Sequence, residues 1–199
     1  MIGLIDLPAT TRLILASGSP RRRDLLREAG LSFEIMSPEV EELKAGDLPP
    51  RELALTNARL KSLAIAKDHP NDIVLGSDTV VALGGKVYGK PVDLSEASEN
   101  LRTFSGRVHE VISAVSIIGG DKGSDFIETS YVKFRSLDEV VIQDYLAKVH
   151  VLDKAGGYAI QDQGEMLVEK VEGDFDNIVG LPVGKVLDHL KEIGFPLPR

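Results

Sequence analysis

Three consecutive arginines, Arg21, Arg22 and Arg23, stand in the stretch LILASGSPRRRDLLREAG at the point where a helix should begin. The first turn of an α-helix already carries about half a positive charge from its unpaired N–H groups, so cations there are disfavoured unless an anion shares the site. The rest of the helix start is orthodox, with Ser19 placed as N-cap, Pro20 as the first helical residue and Gly30 just past the end. A strand over 12–16, a loop of Ser17, Gly18 and Ser19, and a helix over 21–29 bring free N–H groups and small hydroxyls to one point, as an anion site requires. The alternative is a solvated basic turn offset by Asp24 and Glu28. The run GSPRRR lacks the spaced glycines and the final Lys-Ser/Thr of a P-loop.

Polyphosphate chemistry also needs carboxylates and further cations. Glu42 and Asp78 supply hard oxygen ligands of the kind that magnesium or manganese takes, and Lys61 and Lys90 are isolated cations. Each has an ordinary reading as well. Asp78, between the apolar runs IVLG and VVAL, is placed as an Asx-turn residue. Glu42, beside Glu41, reads as solvated surface, and Lys90 before Pro91 reads as loop. Asp153 and Lys154 read as a surface ion pair, although Gly156 and Gly157 after them mark a backbone that turns tightly or approaches a ligand. His109 is expected to pack or hydrogen-bond on a strand, and His69, His150 and His189 have no metal-site spacing.

The bulk properties confine any positive site to one place. A net charge of −8 over 199 residues, with 5% aromatics and no tryptophan, argues against a surface for nucleic-acid polymers. The lack of cysteine excludes disulfides, thiolate metal sites and cysteine nucleophiles. The opening MIGLIDLPATTR has no signal-peptide pattern, and no stretch approaches the roughly 18 apolar residues of a membrane span, so a cytoplasmic location is expected. The length predicts a single domain, residues 1–199, with 1–11 as an N-terminal extension.

These residues need a scaffold to bring them together. The pattern predicts a second helix from Pro49-Pro50 to about Lys67, carrying Leu53, Leu60 and Ala64 with Lys61 beside them. A Gly84-Gly85 hairpin follows the VVAL run. An Asp93/Glu96 capping box starts a helix that stops at Gly106, and Ser136 with Glu139 reads as a second box, for a helix to about Lys148. Between these helices, VHEVISAVSIIG and FIETSYVKFRS read as long paired strands turning at 119–124. Further on come a loop DKAGGYAIQDQG, a strand near 166–171, an acidic loop EGDFDN and a final helix from Pro182 to near Gly194. Early alternation of strand and helix followed by hairpins predicts an α/β fold with a mixed sheet flanked by helices.

Taken in order, LILASGSPRRRDLL, GSDTVV, GKP, SGRVHEV, DKAGGYAIQ and the GLP at 180–182 resemble the Maf family of nucleoside triphosphate pyrophosphatases, also called septum formation inhibitor Maf. The resemblance runs from residue 13 to residue 182. It implies an elongated mixed sheet with two lobes around a central cleft, of the Maf and inosine triphosphatase type. It also implies metal-dependent hydrolysis of a nucleoside triphosphate to monophosphate and pyrophosphate, house-cleaning of the nucleotide pool, and a cytoplasmic homodimer. By resemblance Asp78 is the proton acceptor, and Ser17, Arg22, Glu42, Lys61 and Lys90 are the other polar site positions, Lys61 fitting the helix position better than Asn57. Ser17, Arg21 and Arg22 then hold phosphate, and Glu42 and Asp78 hold Mg2+ or Mn2+.

Two branches of the family are distinguished at three positions. Arg21, Thr79 and Gln161 fit the branch acting on dTTP and UTP, with modified pyrimidine nucleotides allowed, and not the branch acting on 7-methylguanosine triphosphate. An amide at 161 can donate to a pyrimidine O4 and accept from its N3–H. Ala159, Gly157 and the N-terminal dozen residues depart from the usual pattern. The alternative from another class, a nucleotide-binding regulator of division without turnover, has no use for two carboxylates beside a polyanion unless a metal bridges them.

Overall fold

The computed structural model describes residues 11–120 and 122–197; the expected extension lies, except for Thr11, outside the described residues. Strand β1 (Leu13–Ala16) is four apolar residues, all buried, and pairs in parallel with β2 (Glu34–Ile35) and with β3 (Ile73–Leu83). Helix α1 (Pro20–Glu28) connects the first pair, and α2 (Pro50–Ala66) packs across β3. From β3 onward the sheet is antiparallel, through β4 (Lys86–Tyr88), β5 (Val108–Gly119), β6 (Lys122–Phe134) and β7 (Val168–Glu172). The order is β2-β1-β3-β5-β6-β7 with β4 on a free part of β3, so the expected mixed α/β sheet is present. Helices α3 (Leu94–Phe104), α4 (Glu139–Lys148), α5 (Phe175–Val179) and α6 (Val183–Glu192) complete the fold. No helix among the described residues is long and apolar enough to cross a membrane.

Two cores share the long strands. At one end Leu13, Leu15, Leu26, Leu75, Val115, Val186 and Leu190 pack together. At the other, Val81, Leu101, Phe104, Val111, Phe134 and Tyr145 form a second cluster. Between them a polar belt crosses three strands: Ser77, Asp78 and Thr79 on β3, Ser113 paired with Thr79 on β5, and Ser130 on β6. That belt corrects the expected break at Asp78. The strand is continuous for eleven residues, and the polar run marks the passage from one lobe to the other.

Gly76 sets how closely α2 approaches. A Cβ there would meet the Ala58 carbonyl at 2.4 Å and the Ser62 nitrogen at 2.7 Å, both backbone atoms of the helix, so any side chain would push α2 off the sheet.

Other boundaries differ from expectation for local reasons. Ser19 has N-cap backbone angles but makes no side-chain cap, and its own N–H donates to Ser17 Oγ at 3.2 Å. The Ser136/Glu139 box does not form. Asp138 is the N-cap, accepting from Val141 N at 2.9 Å, while Glu139 takes a two-pronged bond from Arg102 that holds its carboxyl down to about 2. The Asp93 cap does form, at 2.8 Å to Glu96 N, and Glu96 reaches back to Val92 N. The expected strand at 166–171 starts two residues later, after a 3-10 turn at Gly164–Met166. The EGDFDN stretch is not all loop: Asp174 caps α5 by accepting from Asp176 N at 2.8 Å.

Candidate functional site

Each cation of the arginine run goes a different way. Arg23 turns outward onto Asp24 at 2.9 Å. Arg21 reaches across the cleft mouth to Asp153 at 3.3 Å. Arg22 is buried, 9% exposed, and its fork is fixed on protein oxygens. Nε donates to the Gly180 carbonyl at 3.0 Å, Nη1 to Ser17 Oγ at 3.3 Å and Nη2 to Thr79 Oγ1 at 3.1 Å. A guanidinium has five N–H donors, so two remain for a ligand. Among the described residues no carboxylate lies in ion-pair contact with it. Burial pulls its pKa below the ordinary value, Asp78 opposes that shift, and Arg21 adds to it. A buried cation without a paired anion calls for one from outside.

Next to Thr79 on β3, Asp78 meets Asn57 and Lys61, one turn apart on α2. Lys61 Nζ donates to Asp78 Oδ1 at 2.8 Å and lies 2.7 Å from Glu42 Oε2. Asn57 Nδ2 donates to Asp78 Oδ2 at 3.4 Å. The same amide grips the Leu43 backbone, accepting from its N–H at 2.9 Å and donating to its carbonyl at 3.1 Å. That grip carries Glu42, which no helix or strand holds, to the site. Weighed in sequence only as a rival of Lys61, Asn57 has its own task, and the usable signal was the i, i+4 spacing of the two.

The cleft of about 150 Å³ is lined by Arg21, Arg22, Lys61, Lys90 and Lys154 and by the carboxylates Glu42, Asp78 and Asp153. It is therefore locally positive in an acidic chain. It meets a second hollow of about 580 Å³ at Glu42, Asp78, Thr79, Lys90 and Ala155. Eight of the nine site residues read from sequence line the cleft. Ser17 stands behind Arg22, and Lys90 and Gln161 are exposed on the rim.

Asp153 and Lys154 are more than a surface pair. Lys154 is buried, donating to the His150 carbonyl at 2.6 Å and to Asp153 at 2.9 Å. Burial opposes ionisation of Asp153, but Lys154 and Arg21 outweigh it and hold the carboxyl below its usual range. Under the far wall, Tyr158 lines the cleft with its hydroxyl 2.7 Å from His109 Nε2. His109 is stacked on Phe104 at 4.6 Å, and burial pushes its imidazole down to about 4, so it packs as expected.

A cation fits this donor set. Glu42 and Asp78 each place an oxygen within 2.8 Å of the single point occupied by the Lys61 ammonium, so both carboxylates can face one positive charge. Two carboxylates, with phosphate oxygens and water completing the shell, suit a magnesium-sized ion. No group of three or more His, Asp or Glu residues stands ready to hold a metal unaided among the described residues.

Known proteins resemble this chain along nearly its whole length. The chain is 45% identical over 183 residues to a dTTP/UTP pyrophosphatase of Akkermansia muciniphila, covering 92% of this chain and 97% of that protein. It is 42% identical over 181 residues to a dTTP/UTP pyrophosphatase of Bacillus mycoides, covering 91% and 95%. Residues 12–193, which include both walls of the cleft, match the family described as Maf-like protein, and the chain belongs to that family.

Proposed function

We propose that this protein is a pyrophosphatase that cleaves dTTP and UTP between the α- and β-phosphates, giving monophosphate and pyrophosphate. The observation that carries the reading is Arg22, a buried cation with two free donors, set in one cleft with the Asp78–Lys61–Glu42 triad. Arg22 grips the polyphosphate, and Lys90 supplies a mobile positive charge at the rim. Asp78 accepts the proton of the attacking water, and the bridging oxygen leaves with pyrophosphate. Lys61 keeps the Asp78 carboxylate oriented. Glu42 and Asp78 would hold a divalent cation, Mg2+ or Mn2+, which when bound neutralises phosphate charge and polarises the reacting oxygens. Arg21 and Gln161 face the nucleoside end, where the amide donates to O4 and accepts from N3–H. A cytoplasmic location and a homodimeric state belong to the same proposal.

The test is pyrophosphate release from a panel of nucleoside triphosphates, with magnesium or manganese and then with excess EDTA. Turnover confined largely to dTTP and UTP, lost on chelation and restored by metal, is the expected result. Full activity after verified metal removal would refute the cation, and no release from any nucleotide would refute the enzyme.

A further inference from the structure

We propose that Ser113 and Asn177 are positioning residues for the substrate's phosphates, acting through Thr79 and Gly180 on Arg22; this rests on the reading of Arg22 given above. Arg22 Nη2 donates to Thr79 Oγ1, which lies 2.8 Å from Ser113 Oγ, and Ser113 Oγ donates to the Asn177 carbonyl at 3.2 Å. Each hydroxyl has one proton. Thr79 Oγ1 has two acceptors in reach for its proton, Ser113 Oγ and the Gly180 carbonyl at 3.1 Å. With the proton on Ser113 the chain runs from guanidinium to Thr79 to Ser113 to Asn177 and is mutually polarising, and with it on Gly180 the same prong still ends on the helix cap. The other prong of Arg22, Nε, ends on the carbonyl of Gly180, three residues beyond Asn177. Two of the three Arg22 bonds therefore lead to α5 and its C-cap, and the third, from Nη1, ends on Ser17. Gly180 has φ 139, a backbone conformation that side chains rarely adopt, so the cap that presents this carbonyl depends on glycine.

Helix α5 is five residues long and needs outside support. Asn177, fully buried, supplies it: Nδ2 donates to the Val111 carbonyl at 3.0 Å and to Ser130 Oγ at 2.9 Å, and Ser130 Oγ donates to the Asp174 carbonyl at 2.8 Å. Its Oδ1 has no partner among the described residues. An apolar side chain would avoid that unpaired acceptor, so the amide is useful here for its two donors. The sheet thus aims Arg22 from behind, through a segment whose only sequence signal was its acidity.

The experiment is a double-mutant cycle read by calorimetric binding of α,β-methylene-dTTP with magnesium, pairing Ser113→Ala with Arg22→Lys. Arg22→Lys keeps the charge but cannot use both prongs. Ser113→Ala removes a single oxygen, so it carries the test if Asn177→Ala fails to fold; thermal melting confirms that each variant is folded. In the wild-type background Ser113→Ala should weaken binding by about severalfold to tenfold, the scale of one neutral hydrogen bond. In the Arg22→Lys background the same change should matter less than about twofold. Equal effects in both backgrounds, or no effect in either, would overturn the relay. A wild-type protein that binds the analogue yet releases no pyrophosphate from dTTP would sink the hydrolytic reading alone. One that binds neither the analogue nor inorganic pyrophosphate would sink both.

Discussion

The two walls of the cleft are built in opposite ways. On one, Arg22, Asp78, Lys61 and Thr79 are largely buried and tied to protein atoms: Arg22 and Thr79 each to three segments of the chain, Lys61 to Asp78 and Glu42, and Asp78 to two residues of α2. On the other, Lys90 and Gln161 are exposed, carried by the β4–α3 connection and by the loop after α4. Groups that must meet developing charge gain from being fixed beforehand, because reorganisation during the reaction then costs little. Groups that recognise a base need reach and can be exchanged without disturbing the core. The contrast fits the proposed division of labour, with chemistry on the first wall and, on the second, base recognition by Gln161 beside the mobile phosphate cation Lys90.

The largest expected break in that contrast is Asp78→Asn. It keeps size but removes the charge that accepts a proton, so turnover should fall at least about a hundredfold while analogue binding largely survives. Steady-state rates with dTTP decide it, and near-normal turnover would remove Asp78 from its role.

Next comes the aromatic floor of the second wall. The buried His109 imidazole is held neutral down to about 4, against 6.5 for a free histidine. As pH falls from about 6.5 to about 4 the unfolded chain takes up this proton and the folded one does not, so stability drops by up to roughly 3 kcal/mol. Urea unfolding across that range should show the slope, and His109→Gln should flatten it.

Arg22→Lys is expected to lower kcat/KM by about tenfold to a hundredfold for every nucleotide, since the lost fork touches phosphate and not base. A loss that depends on the base would move Arg22 to the other wall. The smallest and most selective change is Gln161→Glu. A carboxylate cannot donate to O4, so kcat/KM for dTTP and UTP should fall by several-fold to about tenfold relative to other nucleotides. A uniform change across the panel would end the pyrimidine assignment.

Much of this molecule was legible in its residues alone. The buried run at 13–16, the proline-started helices, the hairpin at Gly84-Gly85 and the long paired strands follow from local periodicity and turn chemistry, which short segments encode. The resemblance of the ordered motifs to the Maf family likewise implied that Arg22, Asp78, Lys61 and Glu42 share one site, which residue types and spacing alone did not require. Tertiary structure decided the rest. Asp78 sits mid-strand because two cores share β3, and a polar residue between two apolar runs reads the same way in a turn as in a belt between lobes. The splitting of the arginine run, the Asn57 grip on Leu43 and the support of Arg22 from α5 join residues up to 158 positions apart. Such partners are chosen by how the sheet and Gly76 set the distance between elements, and no local window of sequence contains that distance.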